Sequence, residues 1–273
     1  MVEVVTLGEA MLRTVDSTAG RLQTVGGAEL NVAVALAQLG RKARWLSAVG
    51  DDAAGWRILD EASRAGVDTT SVVILPQYSS GEYSVDHATS KVEYQRADSA
   101  FANLSHTMFK PSLRQLLGGA KWLHLTGITP LLGNLPRGVW STALATAELD
   151  GIKISLDFNH RSGLGEWDEL WRVVEPHLRK IHLLTLSESG LENINRKSGL
   201  LNGTPTIEEM VEAVRSRWLV TWVACTVKRP QPDGSQSRWS TVAVPDGVVS
   251  TRETHTSQSP VEPLRGGDAR LSQ

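Results

Sequence analysis

The stretch "AELNVAVALAQLGRKARWLSAVGDDAAGWRILDEASRAG" (Ala28 to Gly66) decides the fold class. Val32, Ala35, Leu36 and Leu39 recur at helical spacing, so one face of a helix is apolar, and Gly40 supplies a left-handed stop. The run "RWLSAVG" (44 to 50) then reads as a strand too apolar to alternate, as a strand covered on both faces must be. Asp51 or Asp52 can cap the helix that follows, and Gly66 closes it. Helix, buried strand, helix is the grammar of a parallel sheet with helical connections.

Outward from this stretch the same rhythm holds. "EVVTL" (3 to 7) is a strand before it. After it come "KWLHLTG", a helix near 135 to 149, "IKISLDF", a helix near 167 to 179, "IHLLTL", a helix over 206 to 217 and "LVTWVACTV". The fold expected is α/β, with a mostly parallel central sheet and helices on both faces. The whole of 1–273 reads as a single domain, since no low-complexity linker divides it. "KRPQPDGSQSR" (228 to 238) is read as a hairpin connection between two strand-like runs. Residues 71 to 97 break the rhythm: short β-type segments separated by turns predict a small antiparallel excursion. Such an excursion serves as a lid, as a homodimer contact or as a plain surface hairpin.

Composition narrows the function. A formal net charge of −2, with no lysine or arginine run longer than two, offers no electrostatic footing for nucleic acid. No apolar run approaches the ~20 residues of a membrane span, and the amino terminus lacks the parts of a signal peptide, so no membrane partner and a cytoplasmic location are expected. The single cysteine, Cys225, excludes an internal disulfide and reads as a buried structural thiol. Neither a P-loop nor a G-x-G-x-x-G after the first strand is present, and the seven histidines form no H-E-x-x-H pair.

What remains is a set of segments in a fixed order: "VGGAELNVAVALAQLG", "SAVGDDAAGWRILDEASRAGVDT", "YQRADSAF", "HLTGITP", "LDFNHR" and the terminal "GGDA". Together they resemble the ribokinase-like sugar kinases, the PfkB carbohydrate-kinase family, and within it the 2-keto-3-deoxygluconate kinases. The resemblance runs from Val4 to Ala269 and implies a ribokinase-like fold whose excursion at about 71–97 is a β lid. It also implies ATP-dependent phosphorylation of 2-keto-3-deoxygluconate or a related keto sugar acid, with magnesium accompanying the nucleotide.

The same resemblance assigns residues. Gly26, Gly27 and Asn31 match the sugar-binding G-G-x-x-x-N signature. Tyr83 matches the lid tyrosine, Tyr94 and Arg96 match substrate contacts, and Arg161 joins Arg96 as a clamp for the sugar-acid carboxylate. Strand alternation in "EYQRA" places Tyr94 and Arg96 on one face, with Glu93, Gln95 and Ala97 on the other. Asp268 matches the aspartate that takes a proton from the attacking sugar hydroxyl, and the amides of Gly266 and Gly267 match the anion hole. Ser187, Glu188 and Lys228 are the candidate nucleotide contacts.

Three departures temper the implied activity. Arg265 stands where the family's glycine turn begins; Ser187 and Gly190 replace the asparagine and glutamate of N-x-x-E, leaving Glu188 to begin a helix; and only five residues follow Asp268. Read this way, the ending is a catalytic terminus cut short before the remaining nucleotide-site elements. A non-catalytic relative that binds a sugar acid or a partner is the alternative reading.

Overall fold

The computed structural model describes residues 1–17, 20–86, 91–230 and 236–255, which fall into two compact units, one from Met1 to Lys153 and one beginning at Ile154. In the first unit β1 (Val4–Leu7) leads to β2 (Met11–Ser17), β3 (Gly20–Gly26) and α1 (Ala28–Gln38), then β4 (Ala43–Leu46), β5 (Ala48–Val49) and α2 (Ala53–Arg64). The chain continues through β6 (Val73–Ile74), β7 (Gly81–Asp86), β8 (Lys91–Gln95), α3 (Leu113–Leu117), β9 (Trp122–Thr126) and α4 (Asn134–Leu149). The second unit holds β10 (Lys153–Asp157), α5 (Trp167–Val174), β11 (Leu183–Ser187), α6 (Glu188–Ser198), α7 (Ile207–Trp218), β12 (Trp222–Pro230), β13 (Gln236–Val244) and β14 (Gly247–His255).

The architecture is α/β with mostly parallel strands in its main sheet, as the alternation of runs predicts. In the first unit β1 is flanked by β4 and β9, both parallel to it. In the second, β10, β11 and β12 are parallel, while β13 and β14 return antiparallel. The antiparallel register of β12 on β13, from Val223 opposite Ala243 to Pro230 opposite Gln236, bears out the hairpin expected around 228 to 238.

Local chemistry explains where elements stop. Gly40 and Gly66 take φ of 76° and 87°, a conformation that lets the chain leave α1 and α2 without a Cβ clash. Of the two candidate caps for α2, Asp52 does the capping: its carboxylate accepts from the Gly55 amide at 2.7 Å. The same carboxylate accepts from the Ser80 amide at 2.7 Å and the Ser80 hydroxyl at 2.8 Å, so the cap also anchors the entry to β7. The core beneath α1 and α2 collects Leu30, Ala33, Trp45, Val49, Ile58 and Ala62, and the Trp45 indole donates to the Gly8 carbonyl at 3.0 Å.

Two details differ from the sequence reading. The strand expected over 44 to 50 is broken at Ser47, because the chain changes partner there, from β1 to the short β6. The excursion is also larger than the 71 to 97 segment: β7 and β8 pair antiparallel, and β7 joins β2 in parallel, giving a sheet in the order β3-β2-β7-β8 among the described residues. β2 escaped the sequence reading because Leu12, Arg13, Thr14 and Val15 are all buried, so no apolar and polar alternation marks the strand.

Candidate functional site

The first group of candidate residues gathers where β1, β3 and the small sheet meet. Tyr83 and Tyr94 lie directly opposite each other across β7 and β8, with ring centroids 5.4 Å apart in a stacked arrangement. A Cβ built on Gly26 would stand 3.7 Å from the Tyr83 hydroxyl, so the tyrosine pair reaches the glycine signature. Gly27 is held more tightly: a Cβ there would meet the Glu9 carbonyl oxygen at 2.5 Å and the Ala10 Cα at 2.8 Å. This glycine is therefore required for close backbone packing as well as for any ligand contact. Asn31 sits in the first turn of α1, half-buried, its amide donating to the Gly27 carbonyl at 2.8 Å.

Arg96 follows β8 and turns inward. Its guanidinium lies 2.5 Å from the Glu9 carboxylate, and the Ser99 hydroxyl donates to the same carboxylate at 2.5 Å. Burial pushes the Glu9 carboxyl up from its usual range, opposed by the Arg96 charge and the two hydrogen bonds. Glu9 was not legible as a site residue, since a lone glutamate after a strand carries no pattern.

Glu29 is a second buried carboxyl that sequence reasoning missed. Its Oε1 accepts from the Thr126 hydroxyl at 2.7 Å and the Thr129 hydroxyl at 3.2 Å. Burial pushes its pKa up to about 7, since the loss of water outweighs the hydroxyl and backbone donors and the charge of Arg96. It lies at the carboxyl ends of β1 and β9, the side of a parallel sheet where ligands bind.

The remaining candidates belong to the second unit. Arg161 is exposed, four residues past the end of β10, and its charge acts on Asp157, whose carboxyl burial pushes up to about 6. Between them Asn159 takes φ of 37°, a left-handed conformation that asparagine tolerates. Ser187 caps α6, its hydroxyl accepting from the Gly190 amide at 3.2 Å, and Glu188 opens that helix as the sequence predicts. Glu188 forms an ion pair with Arg229, which holds the carboxylate below its usual range. Lys228 is exposed on β12, and Arg229 also lies over the Trp239 ring at 5.5 Å.

The α6 amino end, whose first residue Glu188 pairs with Arg229, brings backbone amides and a cation together, the chemistry a triphosphate needs. Among the described residues no group of three or more His, Cys, Asp or Glu side chains is placed to hold a metal ion. Asp268, Gly266 and Gly267 lie outside the described residues.

Comparison with known proteins bears on the family and the fold. The sequence profile of the pfkB family carbohydrate kinases matches residues 3–226. A 2-dehydro-3-deoxygalactonokinase of Haloferax volcanii is 29% identical over 210 residues, which cover 72% of this chain and 64% of that relative. A 2-dehydro-3-deoxygluconokinase of Bacillus subtilis is 32% identical over 173 residues, covering 59% of this chain and 52% of the relative. The matched part thus spans less than two thirds of either relative's length. The crystal structure of a 2-dehydro-3-deoxygluconokinase from Thermotoga maritima superposes with a TM-score of 0.85 at 25% identity, covering 100% of this chain and 86% of that one. The fold is ribokinase-like, and the chain belongs to the pfkB family of carbohydrate kinases, related to the 2-keto-3-deoxygluconate kinases.

Proposed function

We propose that the chain is a sugar kinase acting on 2-keto-3-deoxygluconate or a related keto sugar acid, with ATP as phosphoryl donor. The observation that carries this reading is the stacked Tyr83 and Tyr94 pair reaching Gly26, with Arg96 held nearby on β8's exit. Aromatic faces suit the carbon faces of a sugar, the glycines and Asn31 suit its hydroxyls, and guanidinium groups suit a carboxylate. In this reading Arg96 and Arg161 both bind the sugar-acid carboxylate.

ATP supplies the transferable phosphoryl group. The α6 amino end, with Ser187 and Glu188, and Lys228 would hold the nucleotide, Glu188 acting by steadying the Arg229 guanidinium. Magnesium would be held by phosphate and water. Asp268 takes the proton of the attacking hydroxyl, and the Gly266 and Gly267 amides stabilise the charge that develops. The whole chain acts as a single kinase domain in the cytoplasm, and the sheet containing β7 and β8 serves as lid and as contact between two copies. No helix among the described residues is long and apolar enough to cross a membrane.

An ADP-release assay over a panel of sugar acids tests this. Turnover with a keto-deoxy acid, lost by Asp268→Asn while sugar-acid binding persists, is the expected result; turnover that survives Asp268→Asn removes the proposed base. One observation favours a second reading, a non-catalytic sugar-acid binder: the Ser187 hydroxyl is spent on capping α6. Calorimetry separates the two, because sugar-acid binding without ATP binding supports the second and tight ATP binding rejects it.

A further inference from the structure

Outside the residues assigned so far, Glu9 is the residue on which three of the assigned segments meet. Its backbone carbonyl is what a Cβ on Gly27 would strike at 2.5 Å, and its Oε1 is what a Cβ on Gly81 would strike at 2.8 Å. Its side chain carries Arg96 at 2.5 Å and the Ser99 hydroxyl at 2.5 Å. The glycine signature, the first residue of β7 and the arginine after β8 are thus all registered against one buried residue, the first through its backbone and the other two through its side chain.

An arginine side chain has considerable rotamer freedom to lose before it can present a planar fork. Arg96 is already held: its side chain is 11% exposed, against 2% for Glu9. The Arg96 Nε is buried and has no hydrogen-bond acceptor among the described residues, so the guanidinium retains donor capacity after meeting Glu9.

We infer that Glu9 is a positioning residue, which holds the Arg96 guanidinium at a fixed place and angle so that its remaining N–H groups can receive the carboxylate of the substrate. The inference deepens the sugar-acid reading and rests on it for the identity of the anion. The hold of Glu9 on Arg96 is independent of that reading. Glu9→Ala removes both the acceptor and the charge, leaving the Arg96 guanidinium without its anchor. Glu9→Gln keeps one acceptor oxygen within reach of Arg96, with its amide NH2 turned to donate to the Ser99 hydroxyl oxygen.

The test has two arms on the full chain. In the first, phenylglyoxal labelling of Arg96 is followed by mass spectrometry in the absence of sugar. Slow labelling is expected for the wild type and Glu9→Gln, and faster labelling, by about tenfold, for Glu9→Ala, since a held guanidinium reacts only when it opens. Equal labelling rates in Glu9→Ala and the wild type, with unchanged circular dichroism, overturn the inference. Should Glu9→Ala fail to fold, Ser99→Ala takes its place: partial release of Arg96 supports the inference, and an unchanged rate overturns it.

In the second arm calorimetry compares 2-keto-3-deoxygluconate with its neutral counterpart, in which an alcohol replaces the carboxylate. Glu9→Ala weakens the acid by about tenfold, the scale of one charge-assisted hydrogen bond, and leaves the neutral sugar unchanged, whereas Glu9→Gln retains the preference for the acid. A uniform loss for both sugars identifies Glu9 as merely structural. If the wild type binds neither sugar, the sugar-acid reading fails, while the labelling arm still decides whether Glu9 holds Arg96.

Discussion

The carboxyl group of Glu29 lies directly over the bare backbone of Gly8: a Cβ at Gly8 would stand 2.0 Å from the Glu29 carboxyl carbon and 2.2 Å from its Oε2. No side chain fits there while Glu29 keeps its place. Glu29 in turn is fixed by Thr126 and Thr129, so the end of β1, the start of α1 and the end of β9 are tied at one point.

Gly8→Ala is therefore expected to destabilise the fold by about 1–3 kcal/mol, the range for an overpacked core. Urea unfolding measures it. Because the clash is with one side chain, adding Glu29→Ala should recover part of the loss, with a coupling of at least ~0.5 kcal/mol, as for residues in direct contact. Strictly additive losses would show that the two residues do not share this space.

The titration of Glu29 gives a second prediction. Its pKa rises from 4.5 to about 7 on folding, so the folded state keeps the proton after the unfolded state has lost it. The contribution is fully present below pH 4.5 and is lost as pH rises through about 7. The loss is on the order of 3 kcal/mol across that window. His124 acts with the opposite sign, since burial lowers its pKa from 6.5 to about 4 and its neutral form is favoured by folding. Denaturant melts of the wild type and Glu29→Gln at matched pH values isolate the glutamate: the variant should lack this decline, and parallel curves would contradict it.

Tyr83 and Tyr94 should be coupled energetically. Stacked aromatic pairs contribute about 0.5–1.5 kcal/mol beyond their buried area. A double-mutant cycle through Tyr83→Ala, Tyr94→Ala and the double variant reads this term directly. Tyr94 is 55% exposed, so its truncation leaves no cavity and the cycle reports the pair itself. Sugar-acid affinity should fall in both single variants, because each removes half of the same aromatic surface.

Asp52→Ala should cost about 1–2 kcal/mol, the high end for a lost helix cap, because its carboxylate also serves the Ser80 amide and hydroxyl. Those hydrogen bonds hold its carboxyl below the usual range despite partial burial. Its stabilisation is accordingly present above the ordinary carboxylate range near 3.8 and is lost as pH falls below it. Thermal melts at neutral pH and near pH 3 check the prediction: the difference between Asp52→Ala and the wild type should shrink in acid.

The order of elements was written locally. Apolar runs and helical stripes, with glycine stops at Gly40 and Gly66, are set by interactions a few residues apart, and they place nearly every strand and helix of the main sheet. The strand β2 was hidden because it is buried on both faces and carries Arg13 and Thr14 inside. The site followed the same division. Gly27, Tyr83, Tyr94, Arg96 and Ser187 stood out through motif resemblance, and Glu188 through its place at a helix start. Strand alternation would have carried Arg96 along with Tyr94, but β8 ends at Gln95 and the arginine is drawn in to Glu9 instead.

The amino-acid order alone determined an α/β chain of sugar-kinase ancestry, since periodicity, turn chemistry and motif order are properties of neighbouring residues. Tertiary structure alone decided that Glu29 has a pKa near 7 and that Arg96 is seated on Glu9. Both depend on partners far away along the chain: Thr126 lies 97 residues from Glu29, and Ser99 lies 90 residues from Glu9. Whether a carboxyl group keeps its proton, or a guanidinium its orientation, is set by the donors and the loss of water around it, and only folding brings those together.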